Sequence, residues 1–338
     1  MLHFGVAPVR SGLGGRWGWS LTVRFCGLAA CLAIVASVGT AQAGESPFGW
    51  IYTADVHPKG TLEYEHWSFL QNRQSRGTYE YWFNREEIEY GVTDRLQVSA
   101  YLNWTSSNAF RNGIDGTTGG PGVGQFLDSS FDPFSRFRKT RFDSISFEAI
   151  YQVLNPLTDP IGLALYLEPE FGPLTRELEW RIILQKNFLD DRLIVAANIS
   201  GKHEREVNLD GTIEKASPLD LTLGVSYLAF PNWYLGVEAR IHNEFVGYFF
   251  DSPEHSAFFL GPVVHYATKD WWITAAWRHQ LPMVQTYNAE QAAVVVNHRI
   301  YGDEHSRNEF MFKLGIPFGG KEGAKDEAKS MAKWTGAK

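Results

Sequence analysis

From residue 61 to residue 318 the chain repeatedly alternates apolar and polar side chains. A period of two belongs to β-strands whose two faces meet different surroundings. The pattern is cleanest in five places. Leu96, Val98, Ala100, Leu102 and Trp104 share one face against Gln97, Ser99, Tyr101 and Asn103. Ile161, Leu163, Leu165, Leu167 and Phe171 oppose Gly162, Ala164, Tyr166, Glu168 and Glu170. The segments 219–227, 233–242 and 310–318 repeat it. Weaker copies lie at 61–69, 81–92, 143–154, 178–188, 193–202, 257–266 and 271–280.

The connections alternate as well. Short turns are expected at 93–95, 155–160, 189–192, 229–232 and 268–270, and longer polar or Gly-rich loops at 70–80, 105–140, 203–216, 245–256 and 281–307. Short turns at one end, long loops at the other and about twelve strands describe an all-β, transmembrane, antiparallel up-and-down β-barrel. The link 172–177 is short although it lies on the long-loop side, and it predicts a register with Phe171 beside Leu178 and Glu168 beside Arg181. Aromatic side chains are expected in two interfacial belts. Trp67, Phe69, Trp104, Phe171, Trp180 and Trp277 form the outer one, and Tyr90, Phe188, Tyr227, Trp233, Tyr266, Trp271 and Phe318 the periplasmic one.

The N-terminus explains how such a chain would reach its membrane. Residues 1–43 hold Arg10, Arg16 and Arg24, an apolar run from Phe25 to Val38, and Ala41-Gln42-Ala43 before Gly44. That is the layout of a cleaved secretory signal peptide, with a run too short for a good spanning helix. Both cysteines, Cys26 and Cys31, leave with it, which excludes disulfide and thiolate chemistry from the mature protein. The chain carries 38 acidic against 31 basic residues, and loss of the leader deepens that imbalance, which argues against a nucleic-acid partner. The expected organisation is a signal peptide at 1–43, an N-terminal periplasmic segment at 44–60, the barrel at 61–318 and a polar C-terminal tail at 319–338.

The hairpin Glu87-Ile88-Glu89-Tyr90-Gly91-Val92-Thr93-Asp94-Arg95-Leu96-Gln97-Val98-Ser99 resembles those of Gram-negative outer-membrane β-barrels. It is similar to hairpins of transporter and porin-like families, among them the meta-pathway phenol-degradation group. The resemblance covers about residues 50–318 and implies an outer-membrane barrel without naming a substrate. Those families usually end on an aromatic strand; here Phe318 fits, and Gly319 to Lys338 follow it.

Charged residues on the second strand face must meet water or one another, because lipid would penalise each by several kcal/mol. The candidate lumen residues are Glu87, Glu89, Glu148, Tyr166, Glu168, Glu170, Glu179, Arg181, Glu238, Arg240, His242, Arg278 and Lys313. Mixed acid and base suit a small polar solute, and the same charges in a narrow barrel can instead pair and fill it. Arg136, Arg138, Lys139 and Arg141 are candidates to hold lipopolysaccharide phosphates at the outer rim. No Gly-x-Ser-x-Gly elbow or His-Glu-x-x-His zinc helix occurs in the mature chain. The readings carried forward are a narrow channel or transporter, a closed barrel used as a structural or interaction platform, and a surface enzyme. No catalytic residue, metal or cofactor is expected, and outer-membrane lipid is the expected surrounding.

Overall fold

The computed structural model describes residues 46–120, 131–208, 211–301 and 305–318. The signal peptide, the C-terminal tail and part of the Gly-rich loop therefore lie outside the described residues. Twelve long strands close the barrel: β1 (Leu62–Asn72), β2 (Thr78–Thr93), β3 (Leu96–Phe110), β4 (Phe137–Leu154), β5 (Gly162–Phe171), β6 (Thr175–Phe188), β7 (Leu193–Val207), β9 (Leu219–Phe230), β10 (Trp233–Val246), β11 (Ser252–Ala267), β12 (Trp272–Thr286) and β15 (Asn308–Phe318). The short β8 (Ile213–Ala216) sits above the β7–β9 pair and pairs with β7 and β10. A helix, α1 (Ala289–Val294), and a small hairpin, β13 (Val295–Val296) with β14 (Ile300–Tyr301), decorate the last long loop.

Every long strand is antiparallel to its neighbours, and β15 pairs with β1 from Leu62↔Phe318 to Asn72↔Asn308, so the sheet has no free edge. Closure matters because unpaired backbone groups cannot be satisfied in lipid. The sequence pattern places the strands correctly but shortens several at the long-loop end. Strand β4, for example, begins at Phe137 and continues through Arg138, Lys139, Thr140 and Arg141. Such residues stand beyond the apolar band, where water replaces lipid and the outward face has no reason to stay apolar.

Two faces emerge. Leu102, Phe147, Leu165, Leu167, Leu223, Leu235, Val237 and Phe312 point outward and are exposed. Gln97, Ser99, Asn103, Ser146, Glu148, Glu168 and Gln185 point inward and are buried. The lower aromatic belt is present: Tyr90, Phe188, Tyr227, Trp233, Trp271 and Phe318 are exposed outward, and Trp233, Tyr266 and Trp271 form a chain with ring separations of 4.7 and 5.4 Å. The upper belt needs correction. Trp67 is buried and Phe69 packs beside it in the interior cluster around Phe48, because both follow Glu63 and Glu65 at two-residue steps on the inward face.

The predicted β5–β6 register is also corrected. Pro169 faces Leu178, Glu168 faces Glu179, and Tyr166 faces Arg181. The turn is tighter than expected, with the Gly172 N–H donating to the Thr175 carbonyl. A slip of two residues leaves every side chain on its original face, so face alternation alone could not detect it.

One outward patch departs from the apolar rule. Glu86 lies on the lipid side, midway between the outward Tyr90 and Trp82 along β2. Tyr64 donates to it at 2.5 Å and His66 Nδ1 lies 3.0 Å away.

Candidate functional site: a strap through the barrel interior

Residues 46–60, the described part of the segment 44–60 expected to be periplasmic, do not hang below the barrel. They run inside it. Phe48, Ile51, Thr53, Ala54, Val56 and His57 are all at most 5% exposed. The local sequence accounts for this: Phe48, Trp50, Ile51, Tyr52 and Val56 would be costly to leave in water, and burying them against the wall removes that cost.

A buried strap must satisfy its backbone polar groups, and the inward wall does so strand by strand. The N–H of Gly49 donates to Glu238 on β10 at 2.5 Å. The Tyr52 N–H donates to Asn198 Oδ1 on β7, and Asn198 Nδ2 donates back to the Tyr52 carbonyl. The Ala54 N–H donates to Gln185 on β6, while Gln152 on β4 donates to the Ala54 carbonyl. The His57 N–H donates to Gln97 on β3. The strap thus climbs the inner wall from the short-turn end of β3 to a point partway up β10.

Its side chains also meet the lumen cations. The Arg278 guanidinium lies 3.7 Å from the centre of the Trp50 ring, and that of Arg181 lies 4.5 Å from Tyr52. Two glycines permit this packing. A Cβ on Gly49 would stand 2.7 Å from the Ala276 methyl, and one on Gly224 would stand 2.6 Å from the Phe48 ring.

All thirteen lumen candidates face the interior. Arg85 pairs with Glu168, to which Tyr166 also donates. Glu148 accepts from Tyr101 at 2.5 Å. Arg181 pairs with Glu179 at 2.6 Å, and Asn103 donates to Glu170 at 3.4 Å. Arg240 and His242 both bind Asp220, each at 2.7 Å. Arg278 binds Glu309 at 2.5 Å, Lys313 lies 3.5 Å from Glu65, and Glu238 holds the strap. His57 joins Glu89 at 2.6 Å, and Glu87 is fully buried beside it.

The rim quartet is divided between the two faces of the wall. Arg136 reaches the outward Asn108 and the Phe110 ring. Lys139 and Arg141 fall in register with the inward Ser107 and Thr105, and Arg141 pairs with Asp143. Alternation therefore divides the quartet between the two faces, with Arg138 on the outer one. The described part of loop 105–140 packs at the mouth of the barrel, Phe131 against Phe137, and it is the strap that fills the interior.

Above the strap, at the long-loop end, lies a cavity of about 220 Å³ lined by Glu204, Glu206, Glu214, Glu244, Glu254, His255 and His305. His255 and His305 stack there with ring centres 4.9 Å apart. Burial, followed by His242 and His255 as neighbours, holds the His305 imidazole well below its ordinary pKa.

Sequence reasoning did not find Asn198, Gln185, Gln152 or Gln97 as partners of the strap. The available signal was the density of aromatic and aliphatic residues at 48–56, too apolar for a solvated segment.

Among solved structures, an outer membrane channel from Pseudomonas putida F1 is similar over 77% of this chain and 96% of its own, with TM-score 0.52 and 9% identity. The NanC porin is similar over 75% of this chain and 98% of its own, with TM-score 0.44 and 11% identity. At these identities the first likeness shows a shared barrel fold. No curated protein matches the sequence. A family profile, described as "Family of unknown function (DUF6662)", matches residues 40–318.

Proposed function

Taking as premise that the chain belongs to the DUF6662 family, we propose that it is a narrow outer-membrane channel for small polar solutes, obstructed at rest by the strap 46–60. The observation that carries this reading is the strap itself. It is held by hydrogen bonds to inward amide and carboxylate side chains on separate strands. The carboxylate, guanidinium and amide side chains that share the inward wall with Trp67, Ile150, Ile183 and Val263 offer hydrated solutes a path once the obstruction moves. The acidic cavity above the strap favours cationic or zwitterionic solutes over anions. The shared barrel fold of the outer membrane channel from Pseudomonas putida F1 supports the same reading. Similarity to the phenol-degradation transporters rests on the hairpin 87–99 alone, and contact with lipopolysaccharide on Arg136 and Arg138.

Planar-bilayer recordings test it. The protein lacking residues 44–60 is expected to open cation-preferring conductance steps, and the intact protein to show rare or much smaller ones. A strapless barrel that folds yet never conducts would instead favour the closed platform, which the paired lumen charges would then explain.

A further inference from the structure

Where the strap enters the barrel, four carboxylates converge from two strands: Glu63 and Glu65 on β1, Glu87 and Glu89 on β2. They face each other across the pair, Glu63↔Glu89 and Glu65↔Glu87. His57 of the strap reaches into them, its Nε2 lying 2.6 Å from Glu89 and 3.7 Å from Glu63. Ligand atoms of His57, Glu63 and Glu89 all lie within 4.8 Å of one another, as do those of Glu65, Glu87 and Glu89. Glu89 belongs to both groups.

Some of this charge is already met. Trp272 donates to Glu63 at 2.5 Å, Trp67 to Glu65 at 2.6 Å, and Gln97 to Glu89 at 3.1 Å, while Lys313 stands 3.5 Å from Glu65. Glu87 is 0% exposed, no donor from the wall reaches its carboxylate, and its hydrogen-bond contact is with the carboxyl of Glu89. Two buried carboxyl groups in contact must hold a proton or a cation between them, and a bound divalent ion meets the charge of both.

We infer that His57, Glu63 and Glu89 form a binding site for one divalent transition-metal ion that fastens the strap to the wall, with Glu87 beside Glu89 adding to the negative charge of the site. Ligands about 2.1 Å from a shared ion stand at most about 4.2 Å apart, so small carboxylate rotations close the observed spread. One imidazole with carboxylates suits zinc or manganese, whereas calcium takes roughly six to eight oxygens. Glu65, oriented by Trp67 and Lys313, stands behind the ligands. The ion would join three parts of the chain: the strap through His57, β1 through Glu63 and β2 through Glu89. This assignment stands whether or not the barrel conducts.

The test uses protein purified from outer membranes, incubated with Zn²⁺, desalted and assayed for bound metal by mass spectrometry. Wild type is expected to retain one equivalent, and His57→Gln and Glu89→Gln about tenfold less or lower. Glu214→Gln, in the acidic cavity at the other end, retains the full equivalent. No retained zinc in wild type, or equal retention in both site variants, overturns the site. If those variants fail to fold, shown by loss of their heat-dependent gel shift, Co²⁺ titration of wild type decides. An intense visible band of low-coordinate, imidazole-bound Co²⁺ supports the site, and the weak band of the hydrated ion alone overturns it.

Discussion

Asn198 treats the backbone of Tyr52 as a neighbouring strand would: its Oδ1 accepts the Tyr52 N–H at 2.8 Å and its Nδ2 donates to the Tyr52 carbonyl at 2.9 Å. Truncating this amide in Asn198→Ala leaves a buried N–H and carbonyl without partners. Each such group costs about 1–3 kcal/mol. The strap is expected to loosen while the barrel persists, seen as faster protease cleavage within 46–60 and an unchanged heat-dependent gel shift.

Gly224 offers a steric test of the same contact. Any side chain there meets Phe48 and Ile51, whose nearest atoms stand 2.6 and 2.8 Å from a Cβ position. Gly224→Leu is expected to expel the strap and raise single-channel conductance. Conductance equal to wild type in a folded Gly224→Leu barrel would count against the strap as the obstruction.

The Arg85–Glu168 pair sits on the inner wall, with Tyr166 and Ser146 also in contact. Arg85→Met alone strands a buried carboxylate and should destabilise the barrel by about 3–5 kcal/mol. Adding Glu168→Met should recover most of that loss, because the remaining side chains no longer bury a charge. Urea unfolding followed by tryptophan fluorescence measures both.

His305 gives a pH dependence of definite sign. Its folded-state pKa lies well below the ordinary imidazole value, with burial as the main cause. Below about pH 6.5 the unfolded chain therefore binds a proton that the folded chain refuses. Its contribution is flat above that point and turns against folding as the pH falls beneath it, until the depressed value is reached. His305→Gln should accordingly flatten the fall in thermal stability between pH 7.5 and pH 5 relative to wild type.

On the lipid side, Glu86 is tolerated through Tyr64 and His66. His66→Leu alone should lower stability in bilayers, whereas His66→Leu with Glu86→Leu should raise it by about 1–2 kcal/mol, because a carboxylate near the midplane is removed. Unfolding midpoints in vesicles check the opposite signs.

The sequence makes the barrel legible because lipid and lumen impose opposite demands on adjacent residues. Strands such as Leu96–Trp104 therefore show their faces directly. It conceals whatever leaves that alternation intact. The β5–β6 register moved by two residues without exposing a single side chain to the wrong face. Trp67 and Phe69 look like interfacial aromatics by type, yet the parity set by Glu63 and Glu65 turns them inward. The thirteen lumen residues could be read from parity alone. Their partners could not: Arg240 meets Asp220 diagonally on the neighbouring strand and Glu309 three strands away through the curvature of the closed sheet. The strap was hidden for a further reason: its partners are the glutamines and asparagines that look like ordinary polar lining.

Those partners have a geometric consequence. The strap takes its hydrogen bonds in order from β3, β4, β6, β7 and β10, so fixed points along one short peptide meet fixed points around the ring. A ring of ten or fourteen strands would set these acceptors at other spacings and curvatures. The strap therefore works as an internal gauge of circumference, rewarding closure at twelve strands over its even-numbered neighbours.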